Sequence, residues 1–290
     1  MTFDWAEHRK HRRQVVADHG RWIGLLDGNG QPICTLPSKP VELQAPQQRM
    51  GIGSLKMTIN VGSKWGTKHP ALRALIDDTL GQDSASGAIV PTKKTRLVCI
   101  ETAGKRRMVW RVGQRGTTQL GDTLTIHAVD ALSYLQQLPC ISQPAKWKQK
   151  DAWFTADTDW LAVVDASHKF RQPRQIREID FSTSLLADNV LAGPADEVIH
   201  KVLSESLEAF FVGVERKQKL FCAQPQGDSD APYITLKPSD GWLWQEISPR
   251  ASAAGVTLRA GMWLPGDGQP AGLELDSPSI VIDVVRDKEV

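Results

Sequence analysis

Seven histidines, four cysteines and a few adjacent carboxylates are the side chains of this 290-residue chain most suited to chemistry. Their spacing decides what they can do. His8, His11, His19, His69, His127, His168 and His200 form neither HExxH nor any other tight ligand spacing, so they read as core or surface residues. Cys34, Cys99, Cys140 and Cys222 lie far apart, with no CxxC pair to seed a metal cluster or a redox dithiol. They read as small buried hydrophobes kept reduced in a cytoplasm. The GxSxG elbow of a serine nucleophile is absent, although other triads leave no local motif. Asp77/Asp78 and Asp157/Asp159 are pairs of the kind that does acid–base work on a glycan, but hydrolase pairs are usually distant in sequence. Both read as solvated.

Phosphate loops fare no better. Gly104-Lys105 ends like a P-loop, but position 99 is Cys where the first glycine should stand. Gly28/Gly30 and Gly51/Gly53 lack the third glycine of a dinucleotide fingerprint and sit among strands, so they read as turns. The run His8-Arg9-Lys10-His11-Arg12-Arg13 is a cationic cluster without interleaved aromatic residues. It reads as a solvated arm or short helix against a neighbouring subunit rather than a nucleic-acid patch. No catalytic, cofactor-binding or metal-ligating residue emerges, and no cofactor is expected.

Composition sets the frame for the elements. Lys+Arg 35 against Asp+Glu 33 gives a net charge of +2, which removes the main argument for bulk nucleic-acid or membrane-surface binding. Hydrophobic residues make up 41% of the chain, enough for ordinary cores and too many for disorder. The longest apolar runs, such as 161–164 and 280–285, fall far short of the ~20 residues of a membrane span. MTFDWAEHRKHRR lacks the apolar core of a secretion signal, so a soluble chain without membrane insertion of its own is expected. Ten tryptophans against two tyrosines suit cores and subunit contacts without identifying an activity.

The pattern predicts an N-terminal arm over 1–20, then strands. Trp22 to Leu26 runs into Asp27-Gly28-Asn29-Gly30, a hairpin signal, and Ile33 to Leu36 returns. Leu55, Met57, Ile59 and Val61 alternate on one face, as a half-buried antiparallel strand requires. Leu72, Leu75, Ile76 and Leu80 make a helical stripe over 70–80, expected as a flap on the outside, and Gln82 to Gly87 reads as a loop. Strands resume at 96–101, 108–112 and 123–129, and Asp130 caps a short helix that Pro139 follows. Residues 139–150 read as a linker. Beyond it, Gly193-Pro194-Ala195-Asp196-Glu197 opens a helix whose buried stripe is Val198, Ile199, Val202, Leu203, Leu207 and Phe210. Ser248 and Pro249 start a short helix ended by Gly255, and 256–260 and 280–285 read as strands. The predicted class is mainly β with α+β: an antiparallel β-barrel over 21–140 and a mixed domain over 151–290.

The order of these elements resembles a known family. WIGLLDGNGQPICTL, VELQAPQQRMGIGSLKMTINV, TRLVCIETAGKRRMVWRVG and DTLTIHAVDALSYLQQL are similar to the N-terminal region of siphovirus minor tail proteins from actinobacteriophages, of the tail-hub kind related to the contractile-phage hub. Gly53 to Ile59 carries the G-x-L-x-[MLI]-x-[ILV] strand, and Asp130, Leu132 and Leu135 carry the D-x-L-x-x-L step into a helix. GPADEVIHKVLSE and GVTLRAGMWLPGDGQP resemble later segments, so the likeness spans roughly 15–285. It implies tail-tube-like barrels in a virion protein that closes the distal end of the tube as a ring, usually a trimer with two barrels per subunit. Implied partners are copies of itself, a distal tail protein, the tape measure, and DNA only in passage. This chain departs from the pattern in having room for one complete barrel: either strands of 215–290 build a partial second one, or another chain supplies it. A distal-tail ring adaptor, a receptor-binding tip protein and a cell-wall hydrolase with a non-local site are the other readings.

Overall fold

The computed structural model describes residues 3–46, 48–62, 69–77, 81–82, 89–90, 94–117, 122–147, 151–156, 169–177, 190–212, 219–227 and 230–286. The chain starts with α1 (Trp5–His19), capped by Asp4, whose carboxylate accepts from the Glu7 amide at 2.9 Å. Strands β1 (Arg21–Asp27) and β2 (Pro32–Leu36) form the expected hairpin, with Asp27 accepting from the Asn29 and Gln31 amides. Next come β3 (Glu42–Gln44), β4 (Ser54–Asn60), α2 (Pro70–Leu72) with a π-helical turn at Arg73–Asp77, and the short pair β5 (Gly81–Gln82) and β6 (Ile89–Val90). Then follow β7 (Arg96–Thr102), β8 (Met108–Thr117) and β9 (Thr123–Asp130). A curled antiparallel half-barrel results, in the order β2-β1-β7-β8-β9-β4-β3. The molecule is mainly β with an α+β region, as the sequence leads one to expect. Among the described residues the sheet stays open, and β2 and β3 are its edges.

Beyond β9, Asp130 caps a 3-10 turn, Ala131–Gln136, by accepting from the Leu132 amide at 2.8 Å. The short α3 (Pro144–Trp147) precedes the antiparallel pair β10 (Asp151–Ala156) and β11 (Lys169–Arg177). After β12 (Leu191–Pro194) comes α4 (Ala195–Phe211), then β13 (Leu220–Cys222) and β14 (Tyr233–Leu236), the latter paired with β12. Last are α5 (Leu243–Ala253), β15 (Val256–Trp263) and β16 (Ser279–Arg286). Strands β13, β16 and β15 form a mixed three-stranded sheet, in that order, with β13 parallel to β16.

The central strands are apolar on both faces. Ile23, Leu25, Val98, Ile100 and Trp110 point into one cluster with Leu55, Met57, Ile59, Val61, Leu124 and Ile126. Trp22, Leu26, Leu97, Cys99 and Val109 point into another, shared with Val202 and Leu203 of α4, Ile247 of α5, and Leu258 and Ile282 of the mixed sheet. That second cluster runs without a break across the 139–150 segment, so the N-terminal sheet and the C-terminal elements share one core. The helix at 70–80 is not an outside flap: Ala71, Leu72 and Leu75 are buried in the first cluster. Leu80 lies outside the described residues. Helix α5 begins five residues before the expected Ser248, because Glu246 folds back to accept from the Ser239 and Gly241 amides and satisfies the chain at its N-terminus, leaving Pro249 inside. No helix among the described residues is long and apolar enough to cross a membrane.

Trp22, a member of the second cluster, packs closely on its own strand. Its indole lies flat across Gly24 of its own strand, and its Nε1 donates to Thr35 Oγ1 on β2 at 3.2 Å. A Cβ at position 24 would overlap the ring.

Two outcomes follow from this packing. Leu203, wholly buried on α4, should lose ~2–5 kcal/mol on truncation to Ala. Glu205→Ala, on the half-exposed side, should change urea stability by less than about 0.5 kcal/mol. Gly24→Ala should cost ~1–3 kcal/mol by displacing Trp22, with the Trp near-UV signal altered in the folded state.

Candidate functional site

Two buried arginines meet two carboxylates where three distant segments come together. Arg12, from the inner face of α1, is 1% exposed. Its Nη1 donates to Glu101 Oε2 at 2.6 Å and its Nη2 to Asp267 Oδ1 at 3.4 Å. Arg107, just before β8, meets the same two carboxylates from the other side: Nε to Glu101 Oε2 at 2.9 Å and Nη1 to Asp267 Oδ2 at 2.7 Å. Arg107 Nη1 also donates to the Met262 carbonyl at 2.9 Å, and Asp267 accepts from the Leu264 amide at 3.1 Å. Two cations and two anions therefore neutralise each other inside one pocket. The Trp22 ring forms its wall, with the Arg12 guanidinium 5.6 Å from the ring centre.

Burial lowers the Arg12 pKa, with Arg107 adding to the effect and the two carboxylates opposing it. Burial works against Arg107 too, but its hydrogen bonds to Asp267 and Glu101 win and raise it. For Asp267, burial pushes upward and is overcome by the hydrogen bond and charge of Arg107, so the carboxyl ends below its ordinary value. His8, one turn before Arg12, stands edge-on to Trp5 and Trp22. Burial, then the nearby Arg12 and Arg107, bring its pKa down to about 4, so its ring is neutral in the fold.

The basic run thus lies on a packed helix rather than a solvated arm, and Arg12 is its inward member. A helical sequence pattern shows where Arg12 points but not that carboxylates 89 and 255 residues away await it. A signal was available only in part: Glu101 and Arg107 flank the Ala103–Lys105 turn at a spacing that closes across a hairpin.

A third arginine, Arg106, also reaches the C-terminal elements. It lies over Gly261 of β15, where a Cβ would collide with its guanidinium, and reaches the Val281 carbonyl and the Asp283 carboxylate. Burial, with Arg259 adding, lowers its pKa to about 10. It stands in an open cleft of ≈ 1580 Å³ that Arg49, Trp263, Asp230, Asp283 and Arg286 also line. Arg286 is engaged as well, by Asp230 and by Asp196 at 3.4 Å, which ties the end of β16 to the first turn of α4.

The residues weighed for chemistry are scattered. Cys34, Cys99, Cys140 and Cys222 are free, and burial raises all four thiols: Cys34 to about 11, Cys99 and Cys222 to about 12, Cys140 also upward. Such thiols are poor nucleophiles. His69 caps α2 by accepting from the Ala71 amide at 3.1 Å. His127 is exposed on β9, and His200 is half-buried on α4, 3.1 Å from Ser204 Oγ. Cys99 sits within β7 and Gly104-Lys105 in the turn after it, so no phosphate loop forms there. Among the described residues no group of three or more His, Cys, Asp or Glu is placed to hold a metal ion. Asp78, Asp157, Asp159 and His168 lie outside the described residues, as does the side chain of Asp77.

No protein-family model matches the chain, and no curated protein matches it in sequence. Among solved structures it is similar to prophage tail protein gp18 from Listeria monocytogenes EGD-e, with a TM-score of 0.34 and 7% identity over 90% of this chain and 50% of that one. It is also similar to the 43 kDa tail protein of prophage MuSo2 from Shewanella oneidensis, with a TM-score of 0.33 and 13% identity over 90% of this chain and 54% of that one. The chain spans about half the length of both.

The charge pocket predicts a pH dependence. His8 has a folded pKa near 4 against 6.5 unfolded, so the unfolded chain binds the extra proton. Its contribution is complete above about pH 6.5 and is lost as pH falls towards about 4. Urea unfolding across that window should show the decline, and His8→Phe, which keeps the aromatic contacts, should lessen it and leave the share of His69 and His200, whose pKa values burial also lowers.

Proposed function

We propose that this chain is a structural component of a bacteriophage tail tip: a minor tail protein of the tail-hub kind, from a siphovirus of an actinobacterium. In this reading it closes the distal end of the tail tube as a ring of its own copies, a trimer, and anchors other tip proteins. The distal tail protein and the tape measure are its neighbours, and DNA only passes. It does no chemistry of its own.

The observation that carries the reading is the open half-barrel, built from the segments whose strand pattern resembles tail-hub barrels. Its central strands are covered by the chain itself on both faces, while β2 and β3 end the sheet. An edge strand offers a row of backbone donors and acceptors, and symmetric assemblies pair such edges between subunits. Val41, directly before β3, is 71% exposed, an apolar side chain in the place where a neighbour would meet that edge.

Light scattering and electron microscopy of the purified chain test the proposal. A threefold ring is the expected result; a sixfold ring would move the chain to the distal-tail adaptor, and a monomer that releases fragments from peptidoglycan would make it a hydrolase. Val41→Lys should weaken ring formation at least about tenfold and leave the melting temperature unchanged, because it alters an edge rather than the core.

A further inference from the structure

Helix α1 contributes one fully buried side chain, and that side chain is charged. Trp5, Val15 and Val16 add half-buried contacts, and most of the other helix residues are exposed. Gly20 alone joins the helix to β1, in the left-handed conformation at φ +78, with no atom within 4 Å of where its Cβ would stand. A helix that puts no fully buried apolar side chain into either cluster, on a one-residue joint, can leave its seat at the cost of uncovering Trp22 and the contacts of Trp5, Val15 and Val16.

The seat itself is specific. Glu101 and Asp267 come from different elements and are met by different terminal nitrogens of Arg12, while the Trp22 ring lies against the guanidinium. The Arg12 Nε makes no hydrogen bond among the described residues, so both polar contacts come from the two terminal nitrogens that a free guanidinium ion also presents. An ammonium is a compact point charge and cannot span two carboxylates while lying flat on a ring. With Arg12 withdrawn, two carboxylates face only Arg107, and the pocket carries a net negative charge.

We propose that the Glu101–Asp267 pocket is a guanidinium-binding site, filled in this structure by Arg12, that accepts the same group from the α1 of a second copy when the chain's own α1 undocks. The site would join copies by exchange of an identical helix, a route to association that needs no new surface. It does not rest on the tail reading and holds for whatever assembly the chain enters.

The test starts from the full chain carrying Arg12→Ala. Guanidinium chloride at low millimolar concentration, below any denaturing range, should raise its melting temperature by several degrees. Sodium chloride and urea at the same concentration should not, and the wild-type chain should show no rise. A labelled peptide of residues 1–20 should bind the Arg12→Ala chain, and the same peptide with Arg12→Lys should bind at least about tenfold more weakly. If Arg12→Ala does not fold, the wild-type chain decides: it should take up the labelled peptide slowly, faster as salt loosens its own ion pairs. Rescue without uptake of the peptide would keep the site and overturn the exchange. Guanidinium acting no better than sodium, with no uptake by either chain, would overturn both.

Discussion

Three strands with apolar side chains on both faces, β1, β7 and β8, set the terms for the rest of the chain. A strand buried on both sides loses the polar–apolar alternation of an exposed sheet, and its two faces each need a cover. One cover is local: the sheet curls, and α2 with its π-helical turn brings Ala71, Leu72 and Leu75 onto that face. The other comes from much later in the chain, from α4, α5, β15 and β16. Each large apolar side chain buried this way contributes about 1.5–3 kcal/mol, so the two halves stabilise each other through the shared cluster. The continuity of the second cluster across the 139–150 segment is a consequence of this demand.

Apolar faces are not directional, and something else must fix how the covers sit. The arginines do this at the rim. Arg107 and Arg106, adjacent in sequence just before β8, both reach the C-terminal region: one to Asp267 and the Met262 carbonyl, the other to Asp283 and the Val281 carbonyl. Buried ion pairs add little net stability after desolvation, yet breaking one leaves an uncompensated charge. A slip of β15 against the β7–β8 hairpin would break two at once. Gly261 belongs to the same arrangement, since any side chain there would occupy the space in which Arg106 crosses.

Local features were legible in the sequence because local physics causes them. The Asp27–Gly30 hairpin, the Leu55–Val61 alternation, the Asp130 cap and the buried stripe of α4 all stand where turn chemistry and periodicity put them. The readings that needed a partner were not legible. The run at 8–13 reads as a solvated arm or a short helix against a neighbouring subunit until the carboxylates of Glu101 and Asp267 in the same chain are brought beside Arg12. Pro249 looks like a helix start until the backward reach of Glu246 moves that start to Leu243. Helix 70–80 looks like a flap because an amphipathic stripe says that a face is buried, not against which side of a sheet. The strand order β2-β1-β7-β8-β9-β4-β3 is likewise a matter of long-range pairing, on which strand periodicity is silent.

The buried polar groups are engaged within the fold. Catalytic sites keep titratable groups near the pH at which they work and leave them an open partner. The pocket around Arg12 and the four thiols do the reverse. The thiols are raised by burial, His8 is held neutral among rings, and Arg12, Arg107, Arg106 and Arg286 are engaged by carboxylates or carbonyls of the same chain. What stays open is backbone, along β2 and β3 at the two ends of the half-barrel, with an exposed valine before one of them. Backbone at an edge recognises another strand by direction and spacing, not by side-chain chemistry. Helix α1 is held differently from the rest: its one fully buried side chain is Arg12, and its apolar residues Trp5, Val15 and Val16 are only partly buried against the second cluster.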